Sequence, residues 1–577
     1  MTPLTRRNTL RLGGSALAAL AVPGCTGRPG TYPPHEGDSL GPLIDVHCHL
    51  FNGTDLPITT FLTRLFIPAY DPPTCQLGPK SAPKSGLRTT RSIDNPDIGE
   101  SLIEFIAKVL LSGTLTARQE LDRIKTGRPR TAASERARVA TQTRDRLANF
   151  LAQPPASASS ARRAKREEAL RQALWQEADA ATGARLLRGS DQARKAADAL
   201  LTSRGKYGLI LTWVQLFFRP RQDLAQELAT ASLSSGRAPL MLVPLTVDYT
   251  HWLGETPNPD STLADQVAVY AEIASRATFP LHAMVAYDPL RAVFWKLGRH
   301  NRFKDAPEFD PLDLARRALT QQGCIGLKLY PPMGFRATGN SNTDADYPRL
   351  ALKALQPKKG TLGTELDEAM ARAFDLCTEL DAPILAHANN SLSAGRGYGD
   401  RAEPRFWIDA LKTRPRLRLC LAHAGGFCWQ ETDPPVGTPA DRQSWEWTIG
   451  RYVRQNPDSH LYMDISYFSE TFGSPAELEY ITGQLTDWIK VCDPDVRHIL
   501  YGTDWTMLGK EPGWPTYGKT VQAFLKDSLK LTDRQIERVM WQNAMRYLGL
   551  DAGASRDRLL AFYGSRQPEW TLINLPP

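Results

Sequence analysis

Two histidines one residue apart end an apolar segment near the start of the chain. His47 and His49 follow the segment 43–46, and Cys48 lies between them. Because side chains alternate between the two faces of a β-strand, both imidazoles point to one side and the Cys48 thiol points to the other. Two adjacent imidazoles at a strand end provide half of a metal site, so we expect the other ligands further along the chain.

Three more apolar segments end in a side chain that can bind a metal. His387 ends one, His423 ends the next, and Asp504 follows the last. A single histidine in such a position is more often a packed structural residue. Four of the chain's ten histidines at strand ends, together with one carboxylate, instead favour a site for zinc or another divalent first-row ion.

Apolar segments of strand length alternate with helical patterns over most of the chain after residue 239. The predicted strands span residues 43–49, 239–248, 281–288, 324–330, 383–387, 417–423, 461–466 and 498–503. Near-continuous apolar strands separated by helices are typical of a parallel sheet that is covered by helices. Eight such units predict an α/β fold, the (β/α)₈ TIM barrel, whose active site lies at the carboxyl ends of the strands.

The sequence between the first two predicted strands has a different character. Residues 52–99 are rich in Pro, Thr and Gly, residues 100–230 show helical spacing, and the apolar run 207–218 favours a buried helix. This predicts a large, mainly helical insertion into the barrel. The chain is predicted to begin with an export signal at 1–25 and a linker at 26–42. The barrel follows in two pieces, 43–51 and 236–555, separated by the loop and helical insertion at 52–235. A C-terminal tail at 556–577 ends the chain.

The first residues have the pattern of an export signal. Arg6 and Arg7 form a twin-arginine pair, residues 12–22 are short and mostly apolar, and Cys25 stands where a lipobox has its lipid-bearing cysteine. The usual Phe of the twin-arginine signal is absent and two lipobox positions depart from the common pattern, so simple cleavage is the alternative to lipidation. The pattern predicts an exported bacterial protein, either periplasmic or anchored to the membrane as a lipoprotein through Cys25.

Composition favours a soluble globular protein and argues against nucleic-acid binding. The 577 residues include 42% hydrophobic and 23% charged residues, and the formal net charge is +8. This charge is mild for the length of the chain and does not indicate a basic face. The eight cysteines do not indicate a disulfide framework, because Cys48, Cys324, Cys377 and Cys420 fall in strand or helix patterns and are expected to be buried. A disulfide among the three residues Cys75, Cys428 and Cys492 stays open.

Five segments resemble, in order, the motifs of the amidohydrolase superfamily in its amidohydrolase-2 branch. They are IDVHCH at 44–49, GLKLYP at 326–331, ILAH at 384–387, LAHAGG at 421–426 and YGTDW at 501–505. The resemblance covers residues 43–50 and about 239–550, and it does not extend to the export signal or to the helical insertion.

The resemblance implies one divalent metal, with zinc favoured, held by His47, His49, His387 and Asp504 with a water on the open position. His423 would act as the acid or base beside that water or the substrate, and the Asp504 carboxylate can also accept a proton from the water. A metal ion lowers the pKa of its bound water toward about 7. The implied activity is hydrolysis of a C–N or C–O bond in a small-molecule amide, lactone or ester.

Two other functions are compatible with the same residues. Within the same branch, the metal site would also suit a non-oxidative decarboxylase of an aromatic or unsaturated carboxylic acid. In a different class, the chain would be a non-catalytic binding lipoprotein that uses its helical insertion as a docking surface. The complete set of candidate ligands argues against this last alternative.

Two basic residues and one acid near the fourth and first strands have open roles. Lys328 lies on the fourth strand, where binuclear relatives carry a carbamylated lysine that bridges two metals, so a second metal would require carbamylation of Lys328. In this branch a substrate-binding, electrostatic or structural role is the alternative. Arg336, in the following loop, can pair with a substrate carboxylate or lie on the rim. Asp45 is expected to form hydrogen bonds within the barrel.

Overall fold

The computed structural model describes residues 40–62, 96–110, 113–127, 132–152, 161–254, 256–299, 309–341, 347, 362–389, 394–395, 397–426, 444–511, 513–566 and 568–572. The predicted export signal, including Cys25, and most of the predicted linker lie outside the described residues.

Eight short strands, all in parallel pairs, correspond to the eight strands predicted from the sequence. They are β1 (Pro42–Cys48), β2 (Ala238–Pro244), β3 (Met284–Ala286), β4 (Gly326–Leu329), β5 (Ile384–Ala386), β6 (Leu419–Leu421), β7 (Leu461–Asp464) and β8 (Ile499–Leu500). β1 pairs with β2, and β3 to β8 form a six-stranded sheet in chain order. Nearly every strand residue is buried, which explains why the strands are apolar throughout instead of alternating.

Further backbone contacts link the two sheets at both of their edges. Parallel bridges pair Leu242 with Leu281 and Leu245 with Met284, which joins β2 to the chain around β3. At the other edge, the Val46 N–H donates to the Tyr501 carbonyl oxygen at 3.2 Å. These contacts place β1 beside β8. The prediction of an α/β fold with a parallel sheet is confirmed.

Helices connect the strands from β2 onward and cover the sheet. Their bounds are Thr250–Leu253, Leu263–Arg276, Pro289–Lys296, Pro311–Gln321, Leu362–Glu379, Pro404–Thr413, Trp445–Gln455, Pro475–Cys492, Tyr517–Ala523, Asp533–Glu537, Asn543–Tyr547 and Ala554–Tyr563. Local chemistry explains several starts: the Asp288 and Asp310 side chains each accept a backbone N–H at a helix start that has Pro in its first turn. The helix Pro289–Lys296 is not predicted from the sequence. It is barely two turns long and follows a strand directly, so its apolar residues give little helical periodicity.

Between β1 and β2 the described chain is mainly helical. The helices there are Ile58–Phe61, Pro96–Phe105, Ala117–Lys125, Ala132–Ala152, Ala161–Thr182, Ser190–Thr202, Lys206–Val214 and Arg221–Ser234. The apolar run at 207–218 forms the expected buried helix, which continues as a 3₁₀ turn at Gln215–Phe218. Within the described part of the chain, no helix has both the length and the apolar character needed to cross a membrane.

The four cysteines expected to be buried are buried free thiols in the structure: Cys48, Cys324, Cys377 and Cys420. They act as small apolar core residues, because burial raises the pKa of each thiol above its ordinary value. The interpretation against a disulfide framework is confirmed for these four residues.

Candidate metal centre

The ends of β1 and β8 are joined through the backbone of His47. Its carbonyl oxygen accepts the N–H of Thr503 at 3.1 Å and the N–H of Asp504 at 2.6 Å. A Cβ atom at Gly502 would lie 2.7 Å from the His47 Cβ, so only glycine allows this approach. The Asp45 carboxylate accepts the Thr503 hydroxyl at 2.6 Å, which confirms its predicted hydrogen-bonding role.

Three predicted ligands meet at this junction. The His49 Nε2 lies 3.2 Å from Asp504 Oδ1, and the His47 Nε2 lies 3.5 Å from the same oxygen. All three side chains are buried, with exposures of 1% for His47 and 7% for His49 and Asp504. Each offers a ligand atom within 4.8 Å of the other two, which is a distance that a shared ion would span.

The outer nitrogen of each imidazole has its own acceptor. His47 Nδ1 lies 2.9 Å from Asp464 Oδ2, and His49 Nδ1 lies 3.2 Å from the Leu245 carbonyl oxygen. Because a carboxylate and a carbonyl both need a donor, the protons are assigned to the Nδ1 atoms, which leaves the Nε2 lone pairs facing Asp504. Histidine ligands of metals are oriented by acceptors in this way, so the donor set fits a divalent cation.

The electrostatics favour the ligand forms of these groups. Burial lowers the pKa of His47 to about 4, with the Lys328 charge acting in the same direction and Asp464 opposing it. Burial acts to raise the pKa of Asp504, but the close contact with His49 and the other neighbouring imidazoles hold it below its ordinary value. A neutral His47 and an ionised Asp504 are therefore expected at neutral pH, and metal binding requires these forms.

Two residues that the sequence interpretation missed join the candidate ligands to His423. Asp464 ends β7; its Oδ2 faces His47, and its Oδ1 accepts the His423 N–H at 2.9 Å. The Ser466 hydroxyl lies 2.5 Å from Asp464 Oδ1, 2.9 Å from His47 Nδ1 and 3.0 Å from His423 Nδ1. Asp464 could have been found from the signal that identified Asp504, because it also ends an apolar strand.

His423 is held beside the candidate ligands. Its ring centroid lies 4.9 Å from that of His47 and 4.8 Å from that of His387, and its backbone has a φ of 60°. His423, His47 and Asp464 also offer ligand atoms within 4.8 Å. Hydrogen bonds already link this second set, and we therefore regard it as support for the centre and not as a second metal site.

His387 lies close to His423 but belongs to neither set of three ligand atoms among the described residues. Its ring packs on Tyr330, with centroids 4.4 Å apart, and its side chain is buried. Burial, followed by the charge of His423, holds the pKa of His387 well below its ordinary value. Its role as the fourth ligand stays a prediction.

Lys328 is buried on β4 beside a cleft of about 260 Å³ at the ends of β2, β3 and β4. The lining includes the aromatic side chains Tyr249, Trp252, Tyr287, Tyr330 and Phe335. Burial lowers the pKa of Lys328 to about 8, although Asp504 and Asp464 oppose this shift.

Arg336 has contacts within its own loop and with one aromatic ring. Its guanidinium lies 4.5 Å from the centroid of the Phe406 ring, and its Nη1 donates to the Gly339 carbonyl oxygen at 3.4 Å. These contacts hold Arg336 on the loop after β4, so substrate binding by this residue stays a prediction.

Comparison with solved structures gives weak similarity only. The chain is 14% identical to 4-oxalomesaconate hydratase from Rhodopseudomonas palustris, over 59% of this chain and 84% of that one, with a TM-score of 0.34. It is 13% identical to 5-carboxyvanillate decarboxylase from Sphingomonas paucimobilis, over 55% and 81%, with a TM-score of 0.31. For uronate isomerase from Thermotoga maritima the identity is 10% over 88% and 94%, with a TM-score of 0.34.

The sequence comparisons are more informative. No curated protein matches the chain. Residues 281–550 match the family model described as amidohydrolase, a family of metal-dependent enzymes. This range includes His387, His423 and Asp504. This part of the chain, from β3 to the helices after β8, is therefore similar to the amidohydrolase family.

Proposed function

We propose that the protein is an exported metal-dependent hydrolase that cleaves a C–N or C–O bond of a small-molecule amide, lactone or ester. One observation carries the proposal: the Nε2 atoms of His47 and His49 face the Asp504 carboxylate in a buried site, while acceptors hold both Nδ1 atoms. Such a donor set, held in advance in the geometry a cation needs, is typical of catalytic metal sites.

The proposed architecture is one closed (β/α)₈ barrel with residues 52–235 inserted between its first two strands. The bridges from β2 to the chain around β3 support closure at one edge, and the hydrogen bonds between β1 and the chain after β8 support it at the other. In such a barrel the carboxyl ends of all strands meet at one face, which would bring His387 toward the same centre.

The proposed ligands are His47, His49, His387 and Asp504, with zinc as the favoured ion. When bound, such an ion polarises a carbonyl and makes its coordinated water a stronger nucleophile at neutral pH. His423 would move the proton between the nucleophile and the leaving group, since Asp464 and Ser466 hold its backbone and its Nδ1. Lys328, in the cleft beside the centre, would orient the substrate.

A carbamylated Lys328 would be a ligand that bridges two metals, so the centre could then hold a second ion. A buried lysine whose pKa is lowered to about 8 has an appreciable neutral fraction, which is the form that reacts with carbon dioxide. Metal analysis separates the possibilities, because an uncarbamylated Lys328 predicts one divalent ion per chain and a carbamate predicts two.

A second candidate function is non-oxidative decarboxylation of an aromatic or unsaturated carboxylic acid. The observation that favours it is the buried Lys328 cation beside a cleft lined by aromatic rings, which suits a planar anion. The two reactions differ in their balance, because decarboxylation releases carbon dioxide without net uptake of water.

The proposal is tested by metal analysis combined with a screen of amide, lactone, ester and carboxylic acid substrates. His423→Ala should retain the metal and lower turnover by about 10²–10⁴-fold, because it removes a proton-transfer group. His460 lies outside the centre, so His460→Ala is the control and should leave both the metal content and the turnover unchanged. If His423→Ala lost the metal as fully as His47→Ala, the assignment of His423 would be wrong. A wild-type protein with no stoichiometric metal would instead favour the binding-protein alternative.

The proposed location is the periplasm or the membrane, with Cys25 as the site of a lipid anchor. The proposal depends on the twin-arginine pair and the lipobox-like sequence near the start of the chain. Replacing Arg6 and Arg7 by Lys should block export, and Cys25→Ser should abolish labelling by a fatty-acid probe. Undiminished export of the Lys variant would contradict the twin-arginine route.

A further inference from the structure

We propose that Trp213 and Phe217, in the helical region between β1 and β2, are positioning residues for the metal centre. Together with Phe51 they form what we call the aromatic bridge. It contacts the loop after β1 on one side and the loop after β8 on the other. This inference depends on the proposed metal binding at His47, His49 and Asp504, and it adds a part of the chain that the amidohydrolase match over 281–550 does not include.

On the β8 side, the bridge makes one directional bond. The Trp213 side chain is fully buried, and its indole N–H donates to the carbonyl oxygen of Thr506, two residues after Asp504. The Gly509 N–H donates to the same carbonyl at 3.2 Å, and the Leu508 N–H donates to the Asp504 carbonyl at 3.0 Å. The Thr506 carbonyl is therefore a fixed point of the turn that presents the Asp504 carboxylate.

This turn has a backbone that needs outside support. Asp504 has a φ of 54° and Thr506 a φ of 63°, both in the left-handed region that residues with a Cβ atom rarely adopt. Residues in such a conformation persist where their surroundings hold them. The hydrogen bond from Trp213 is one such restraint, and it comes from outside the turn.

The loop and the helical region also meet without space for a side chain at Gly509. A Cβ atom there would lie 2.5 Å from Leu216 Cδ1 and 3.3 Å from Trp213 Cδ1. A glycine at this position therefore allows the loop after β8 to rest directly on the end of the Lys206–Val214 helix and the turn that follows it.

On the β1 side, aromatic contacts lead back to a candidate ligand. The Phe217 ring centroid lies 4.8 Å from Trp213 and 5.6 Å from Phe51, and the Phe51 ring lies 5.2 Å from His49. The Gly53 N–H donates to the Phe217 carbonyl oxygen at 2.8 Å. The aromatic bridge thus connects His49 to the turn that carries Asp504. The same two residues are also in direct contact, with His49 Nε2 3.2 Å from Asp504 Oδ1.

The bridge is itself anchored. Arg221, four residues after Phe217, is completely buried and forms ion pairs with Asp55 and Glu120. Asp55 belongs to the loop after β1, so this pair fixes the helical region to the chain that carries His49. A support outside the ligands that fixes their separation raises metal affinity, because less order remains to be imposed when the ion binds.

The test compares two tryptophans that lose the same kind of bond. Trp213→Phe removes the indole N–H that binds the Thr506 carbonyl and keeps a ring in place. Trp488→Phe is the matched control: Trp488 is also fully buried, and its indole N–H donates to the Glu446 carbonyl oxygen at 2.8 Å, between two outer helices. Each variant is purified as the full chain, and zinc affinity is measured by competition with a chelator alongside the thermal midpoint of the metal-free protein.

We expect both variants to lower the midpoint by a similar amount, while Trp213→Phe alone weakens zinc binding by about 10–100-fold. Equal zinc affinities in the two variants and the wild type would overturn the inference and leave the proposed function intact. A wild-type protein that binds no zinc or other divalent ion would overturn both. If Trp213→Phe does not fold, Phe217→Leu is used in its place and should weaken zinc binding severalfold. An unchanged zinc affinity of Phe217→Leu would then overturn the inference.

Discussion

The candidate metal centre and the ion cluster around Arg221 are both buried and charged, but their charged groups have different partners. In the ion cluster, the Arg221 guanidinium binds Asp55 and Glu120 directly, so positive and negative groups face each other. In the centre, the Asp504 carboxylate faces two imidazole nitrogens, and the pKa of His47, lowered by burial, leaves that ring uncharged.

The difference separates a structural role from a functional one. In the ion cluster one guanidinium binds each carboxylate directly, so every acceptor already faces a cation and the contact fixes the positions of the elements that carry it. A buried carboxylate opposite neutral nitrogens leaves a negative charge and two lone pairs directed at one point, which a divalent cation would satisfy. Burial and charge together therefore do not identify a site, whereas an incomplete set of donors does.

Asp504→Asn should have the largest effect and should act on the centre alone. The amide keeps the size of the side chain but removes the charge that faces His47 and His49. We expect loss of stoichiometric metal and a fall in turnover of roughly 10⁴-fold or more, about 5.5 kcal/mol. Metal analysis and single-substrate kinetics measure this. The free energy of unfolding of the metal-free protein should fall by less than in Arg221→Met, and an equal or greater loss would contradict the comparison.

Arg221→Met should have the opposite profile. It leaves Asp55 and Glu120 buried without their cation, so the free energy of unfolding should fall by about 3–5 kcal/mol. Urea denaturation of the metal-free protein measures this loss. Arg316→Met, which breaks an exposed pair with Glu379, is the control and should cost about 1 kcal/mol or less. A loss at Arg221 no greater than that at Arg316 would remove the basis of the contrast.

Lys328→Met should stabilise the metal-free protein while impairing turnover. Burial lowers the pKa of Lys328 from 10.5 to about 8, so the folded state disfavours its charge by about 3 kcal/mol at pH 7. Above about pH 10.5 the amine is neutral in both the folded and the unfolded state, so Lys328 does not reduce the free energy of unfolding. Between pH 10.5 and about 8 only the unfolded state gains the proton, so the free energy of unfolding falls as the pH falls. The advantage of the Met variant should thus be largest at pH 7 and shrink toward pH 10, as measured by urea denaturation. An advantage that does not change with pH would contradict this.

Asp464→Asn should have the smallest of the four effects. It weakens the acceptor for His47 Nδ1 without removing a ligand, and such changes lower metal affinity by about 10–100-fold, or 1.4–2.7 kcal/mol. Chelator competition measures the affinity. Asp493→Asn is the control, because this buried carboxylate also accepts two backbone N–H groups but lies away from the ligands. Equal affinities in the two variants would argue against the orienting role of Asp464.

The strands could be predicted from the sequence because burial on both faces makes each of them a short apolar run. The candidate ligands could be predicted because they stand at the ends of such runs. Asp464 has the same position at the end of β7, with Ser466 two residues later, but the family resemblance assigns a role to neither residue. The helix at 289–296 was missed because two turns give little periodicity.

The contact between Trp213 and Thr506 could not have been predicted at all. The two residues are 293 positions apart, and neither belongs to a motif. Sequence patterns indicate which face of an element is buried, but not which loop of another element it meets. The contact between the helical region and the loop after β8 is therefore visible only in the structure.

The carbonyl oxygen of His47 determines when the centre can form. It accepts the N–H groups of Thr503 and Asp504, and the Asp45 carboxylate meets Thr503 across 458 positions. During synthesis the segment with His47 and His49 leaves the ribosome long before the segment with Asp504, so these candidate ligands cannot meet until both segments have emerged. Contacts this distant in sequence are among the slowest to form. The candidate ligands are therefore expected to come together late, only after the chain around Asp504 has been made.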